Sequence, residues 1–236
     1  MIGRTWAMAL GAVIVVACRE PRPGEVVLSF AGGPPDASGD SVVVAKGGDT
    51  IVVRTAELVL REVLLQPQRS GECEEEEGER CAMLALGPVH VLLPLGPDAV
   101  ALEPVAATPD TYGQVVFEVY RAVPGRDSAF LTAHPDLAGS SVRVTGGFSH
   151  GGARRDFVLG SDYNEVLELE LGAPLVVAVG TASPLLLRVD VASWFLSADR
   201  AALIDPGTAS PGGRNAAQVR NNVRLSLSAA PAHAGP

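Results

Sequence analysis

The stretch PLLLRVDV, Pro184 to Val191, alternates with a period of two. Leu185, Leu187, Val189 and Val191 fall on one parity, and Arg188 and Asp190 fall on the other. That period belongs to a strand with one buried and one wet face. The pattern recurs along the chain. In DTYGQVVFEVYRAV, Val115, Phe117, Val119 and Arg121 oppose Val116, Glu118 and Tyr120. SVVVA leads through the turn KGGD into TIVVRTAELVLREVLLQP. There Val53, Thr55, Glu57, Val59 and Arg61 oppose Val52, Arg54, Ala56, Leu58 and Leu60. The part AELVLREVLL also satisfies a helical period, and β-branched enrichment favours the strand. CAMLAL and PVHVLLPLG are too short for stable helices, and Gly-Pro pairs bound them. SSVRVTGGFSHGGARRDFVLGS reads as two strands around a glycine-rich turn, and NEVLELELGAPLVVAVG as a further strand region. NAAQVRNNVRLSLSA begins as a helix capped by Asn215 and ends as a strand through Val223, Leu225 and Leu227. Many short strands with frequent turn signals predict an all-β, antiparallel β-sandwich with a short C-terminal helix. No repeat of solenoid or propeller period occurs, and no strand–helix alternation points to a parallel sheet.

The N-terminus, MIGRTWAMALGAVIVVACRE, sets the expected compartment. Arg4 supplies a positive charge, and Trp6 to Ala17 carries none. The run is too short for a bilayer core, which needs about 20 residues, and it suits the apolar region of a signal peptide. It ends in Val15-Val16-Ala17-Cys18, which resembles the lipobox of bacterial lipoproteins. That resemblance implies cleavage before Cys18 and lipid on its sulfur and amine. The chain then divides into a signal peptide (1–17), a Pro/Gly/Ser-rich flexible tether (18–40) in which Glu25–Phe30 can form a short strand, a β domain (41–229) and a tail (230–236). The expected location is the bacterial cell envelope, membrane-anchored and extracytoplasmic, on the periplasmic side or the cell surface.

With Cys18 lipidated, Cys73 and Cys81 remain as a pair in an oxidising compartment, where disulfides persist. Most of the acidic run Glu72–Glu79 lies between them, and it reads as a stapled, solvated loop. Its glutamates lack the alternation of ligand and turn residues that a calcium loop needs, and two thiols without further nitrogen or sulfur ligands do not make a zinc site. The formal charge is −9, which repels phosphate and excludes a nucleic-acid partner. No nucleotide fingerprint or cofactor motif is present, no histidine pair has metal-ligand spacing, and no metal is expected.

Gly147–Gly151, GFSHG, matches the hydrolase pattern Gly-x-Ser-x-Gly around Ser149. That motif requires strand, sharp turn and helix, whereas ARRDFVL after it reads as a returning strand. The pattern predicts a hairpin turn and no catalytic residue, with a serine hydrolase using Ser149 as the minor alternative. Trp194 and Phe195 end the Leu185 strand. They are candidate ligand-contact aromatics, for sugar or peptide, set against the role of core plugs.

The lipobox, VVRTAELVLREVLL, the cysteine loop, GPVHVLLPLG, PDTYGQVVFEVYR, SVRVTGGF, LLRVDVASWF, LIDP and VRNNVRLSLSA occur in this order. The series resembles a group of uncharacterised bacterial envelope lipoproteins. These are similar to a domain-of-unknown-function lipoprotein family with a transthyretin-like or immunoglobulin-like sandwich. The resemblance spans residues 41–229 and implies a lipid-anchored, extracytoplasmic binding or structural module. It supplies no catalytic residues, no cofactor and no named partner beyond the membrane and a protein or glycan. A pilin- or adhesin-like surface assembly subunit is the second reading.

Overall fold

The computed structural model describes residues 23–34, 39–68 and 81–232. The predicted signal peptide, Cys18, Cys73 and the Glu72–Glu79 run lie outside them. The chain is mostly β, with thirteen strands in one sheet that curls around a single large core.

The spine is β3, Asp49–Pro67. It pairs antiparallel with β9 (Val142–His150) over Thr50–Leu58 and with β8 (Asp110–Val119) over Leu60–Pro67. Three short strands also pair with it: β2 (Val42–Lys46), β4 (Ala82–Ala85) and β5 (Val89–Leu92). AELVLREVLL is therefore strand, with Ala56, Leu58, Leu60 and Leu65 wholly or almost wholly buried. A bulge falls between Arg61 and Leu64, and there Glu62 takes φ 52. Beyond β9 lies β10 (Ala153–Ser161), joined through the Gly151-Gly152 turn with φ of 56 and 85. Two positive φ angles are the geometry of a tight hairpin, and glycine supplies it without strain.

Past β8 come β11 (Glu165–Val177), β13 (Leu227–Pro231), β12 (Ala182–Val189) and β1 (Gly24–Ala31), with β6 (Val100–Ala101) and β7 (Val105–Ala107) against β1. In β12, Leu185, Leu187 and Val189 are at most 1% exposed, whereas Arg188 is exposed. Two helices interrupt the sheet: α1 (Ser128–Ala133) between β8 and β9, and α2 (Ala216–Leu225) before β13.

Three expectations change. The short strand read at Glu25–Phe30 is β1, and it belongs to the sheet and not to a spacer, since its Val26, Leu28 and Phe30 are buried. Alternating apolar residues outweigh the prolines and glycines around them. Because β1 runs alongside β12, that pair is parallel over seven residue pairs, and β11 meets β13 in parallel at Leu171 and Ala229. The sheet is thus not wholly antiparallel. The C-terminal helix is present but extends to Leu225, so Val223 is a buried helical residue and the strand starts at Leu227. Val219 and Val223, four apart, place both side chains on the helix face that meets the core.

Candidate functional site

Two places gather polar side chains. The first is the outer face of β3 under the excursion between β8 and β9. Glu57 accepts from Arg143 Nη1 at 2.7 Å through one oxygen, and the other lies 2.9 Å from His90 Nε2. Arg143 also reaches Asp136 at 3.5 Å. The His90 ring packs on His134 at 4.5 Å between centroids, and His134 on Phe130 at 4.9 Å. The two histidines are 44 positions apart in sequence, so spacing alone gave no sign of the pair. Among the described residues no group of three or more His, Cys, Asp and Glu could hold a metal ion.

Beside this cluster Tyr120 donates to Asp127 Oδ2 at 2.5 Å, and Asp127 also accepts the Val123 N–H at 2.7 Å. Arg126 donates to the Tyr120 oxygen, and the Arg61 guanidinium lies 4.3 Å from the ring centre. Tyr120, Val59, Ala122 and Leu137 form a second small core. Both oxygens of Glu57 are occupied, and the network clasps the excursion to β3. Burial raises the Asp127 pKa, but hydrogen bonds from Tyr120 and Val123 and the charges of Arg126 and Arg61 outweigh it and leave it lowered. A carboxylate with a depressed folded-state pKa stabilises above its unfolded value, about 3.9, and that stabilisation fades as pH falls through the folded value. Asp127→Asn should therefore lower the urea midpoint at pH 7 and flatten the acid limb of stability below pH ~4. Tyr120→Phe should cost about 1 kcal/mol at neutral pH. Denaturation of the three proteins from pH 3 to 7 checks both effects, and parallel pH profiles would contradict the assignment.

The second place is a cavity of about 580 Å³ at the β9–β10 end. Its floor is Phe148, with the His150 ring nearly parallel at 6.1 Å and the Arg155 guanidinium 5.3 Å above the ring. Successive residues of a strand face opposite ways, so Phe148 and His150 turn inward and Ser149 outward. His150 Nδ1 lies 2.9 Å from Asp49 at the β2–β3 turn. Arg155 pairs with Asp205, which also accepts the Gly207 N–H at 2.8 Å and so caps the 3-10 turn Pro206–Thr208. Asn215 before α2 donates to Thr208 Oγ1 at 2.8 Å and completes the wall. Arg214 and Ser197 also line the cavity. Unlike the first cluster, this site has room for a guest, and fixed charges of both signs surround it.

The sequence-predicted residues are placed as follows. Ser149 and His150 end β9 in a strand–turn–strand setting, without the helix that a nucleophile elbow requires. Trp194 and Phe195 are fully buried, so the ligand-contact reading does not hold and both are core residues. The indole Nε1 donates to Ser226 Oγ at 2.8 Å, and Phe195 meets Phe157 edge-on at 5.6 Å. Cys81, just before β4, is not a free thiol, and its predicted partner Cys73 lies outside the described residues. Among the described residues no helix is long and apolar enough to cross a membrane.

No family model matches the chain. No curated protein matches it either. Among solved structures, MbnP from Methylosinus trichosporium is similar over 91% of this chain and 100% of its own, at 14% identity and a TM-score of 0.45. A likeness of that degree adds nothing to the reading of the site.

Proposed function

We propose that this protein is a lipid-anchored, extracytoplasmic binding module of the bacterial cell envelope, acylated at Cys18 and stapled by a Cys73–Cys81 disulfide. The curled sheet is read as a two-layer sandwich of the immunoglobulin or transthyretin kind, used as a rigid scaffold for loops that meet a ligand. The observation that carries the reading is where the cavity lies relative to the anchor. Cys18 precedes β1 by a few residues, and β1 runs parallel to β12 away from that end. The eight residues of β12 span about 26 Å, and the chain beyond them continues to Ser197 and Asp205 at the cavity. In this reading the cavity belongs to the end of the body remote from the anchor. Asp49, Asp205, Arg155 and Arg214 suit a small ligand with polar groups of its own rather than a purely apolar one.

Cys18→Ala should move the protein from the membrane to the soluble fraction with an unchanged circular dichroism spectrum. Retention in the membrane would end the anchor reading. In a nitrogen-15 NMR screen of amino acids and short peptides on the released protein, shifts should cluster at residues 148–155 and 203–215. Shifts elsewhere, with none at the cavity, would end the binding reading.

A further inference from the structure

From Leu171 to Leu187 the chain carries no charged residue, although 19% of the protein is charged. This is not a buried run. Val176 is 62% exposed and Val179 54%, and the residues from Ala178 to Ala182 are all exposed. They form the end of β11, the turn and the start of β12. On the far side of β1 from β12 lies β7, within another uncharged stretch, Pro104 to Pro109, with Glu25 of β1 between the two. A second run of the same length, Cys81 to Pro97, also lacks Asp, Glu, Lys and Arg, so what sets this end apart is its place beside the start of the folded body.

The turn is fastened to the start of the folded body. Gly180 donates its N–H to the Pro23 carbonyl at 3.2 Å, and the Glu25 N–H donates to Thr181 at 3.0 Å. Gly24 packs so closely that a Cβ there would sit 2.4 Å from Val177 Cγ1 and 2.7 Å from the Ala178 oxygen. Pro23 is five residues after Cys18, a span of at most about 18 Å. The uncharged end therefore lies within one short link of the acyl chains. The nearest acidic groups, Glu25 and Asp110, flank the turn and bound how deep it can settle.

We propose that the β11–β12 turn, with Val176 and Val179 leading, is the surface on which the protein seats against its own lipid bilayer. This rests on acylation at Cys18 and goes beyond it, since a tether alone would leave the body free to tumble. The turn supplies a second, weaker contact that fixes orientation and holds the cavity toward water. Interfacial anchoring by apolar side chains beside a lipid chain is the expected two-signal arrangement.

The test uses the lipidated mature protein in vesicles of phosphatidylethanolamine and phosphatidylglycerol. An environment-sensitive dye is placed at Val179→Cys or, as control, at Ala153→Cys on the far hairpin. Iodide in the water should quench the dye at 179 several-fold less than the dye at 153, and only at 179 should emission shift to the blue on vesicle binding. Equal quenching in protein that floats with the vesicles would overturn the seating while leaving the anchor intact. Protein that neither floats nor carries acyl mass at Cys18 would defeat the anchor and the seating together. Shielding of 179 without vesicles that is lost on dilution would show a second copy on the surface, and that too overturns the proposal.

Discussion

Trp194→Ala should cost this protein a large share of its stability. The indole is completely buried between the end of β12 and α2. Its Nε1 holds Ser226, whose own hydroxyl donates to the Val223 carbonyl at 2.7 Å. The Trp194 backbone carbonyl accepts Asn222 Nδ2 at 3.0 Å, and the same amide reaches the Leu196 carbonyl at 2.7 Å. One residue thus ties the end of β12 to α2 and to the start of β13. Truncating a buried tryptophan costs about 3–5 kcal/mol, against a typical total of roughly 5–15 kcal/mol. For a chain of this size the melting temperature should fall by about 10 °C or more. Trp194→Phe keeps most of the ring and removes one hydrogen bond, so its cost should be nearer 1 kcal/mol. Thermal unfolding followed by circular dichroism separates the two. A drop of under two degrees for Trp194→Ala would mean that the ring is not the joint described here.

What could be read from the sequence follows from how local each signal is. β12 could be read because one of its faces is wet, and a period of two then shows in the sequence, whereas in β8 both parities are buried from Val115 to Val119 and only Glu118 marks the second face. Leu185 to Val191 is the clearest case. β1 carries the same pattern in Val26, Leu28 and Phe30 and could be read as a short strand, but the flanking prolines and glycines assigned it to a tether and hid its place in the sheet. α1 gave no sign because its six residues bury none of their side chains, so no helical period could form. At the end of α2, Val223 and Leu225 mimic a strand by their spacing of two. The structure separates them, with Val223 buried and Leu225 66% exposed. The candidate sites were the least legible. Asp49, Phe148, Arg155, Asp205 and Asn215 come from four segments of the chain, and only the curl of the sheet makes them neighbours. GFSHG, which attracts the eye as a hydrolase pattern, contributes Phe148 and His150 to the lining of that cavity.

That curl also decides how adjacent glycines in VTGGF differ, and Gly146→Ala should be costly where Gly147→Ala is not. Gly146 sits in β9 between Val53 of β3 and Phe157 of β10. A Cβ there would lie 2.2 Å from the Val52 carbonyl oxygen and 2.9 Å from two carbons of the Phe157 ring. The carbonyl belongs to the spine strand and cannot retreat without disturbing β3. The ring is held from the other side by Phe195. An interior glycine normally weakens a strand, and here it provides the space over which an aromatic ring closes the core. Filling that space should cost about 3 kcal/mol, at the upper end of ordinary overpacking. At Gly147, on the opposite face, the nearest atoms are Arg154 Nε at 3.3 Å and Arg54 Nη2 at 3.4 Å, the far ends of flexible and exposed side chains. These can swing aside, and a strand alanine loses less chain entropy on folding than glycine does, so Gly147→Ala should stay within about 0.5 kcal/mol of the parent. Urea midpoints of the two single variants decide the matter. Equal losses would mean that crowding at Gly146 is relieved by a shift of the strand, and that Phe157 is not the wedge between β9 and the core.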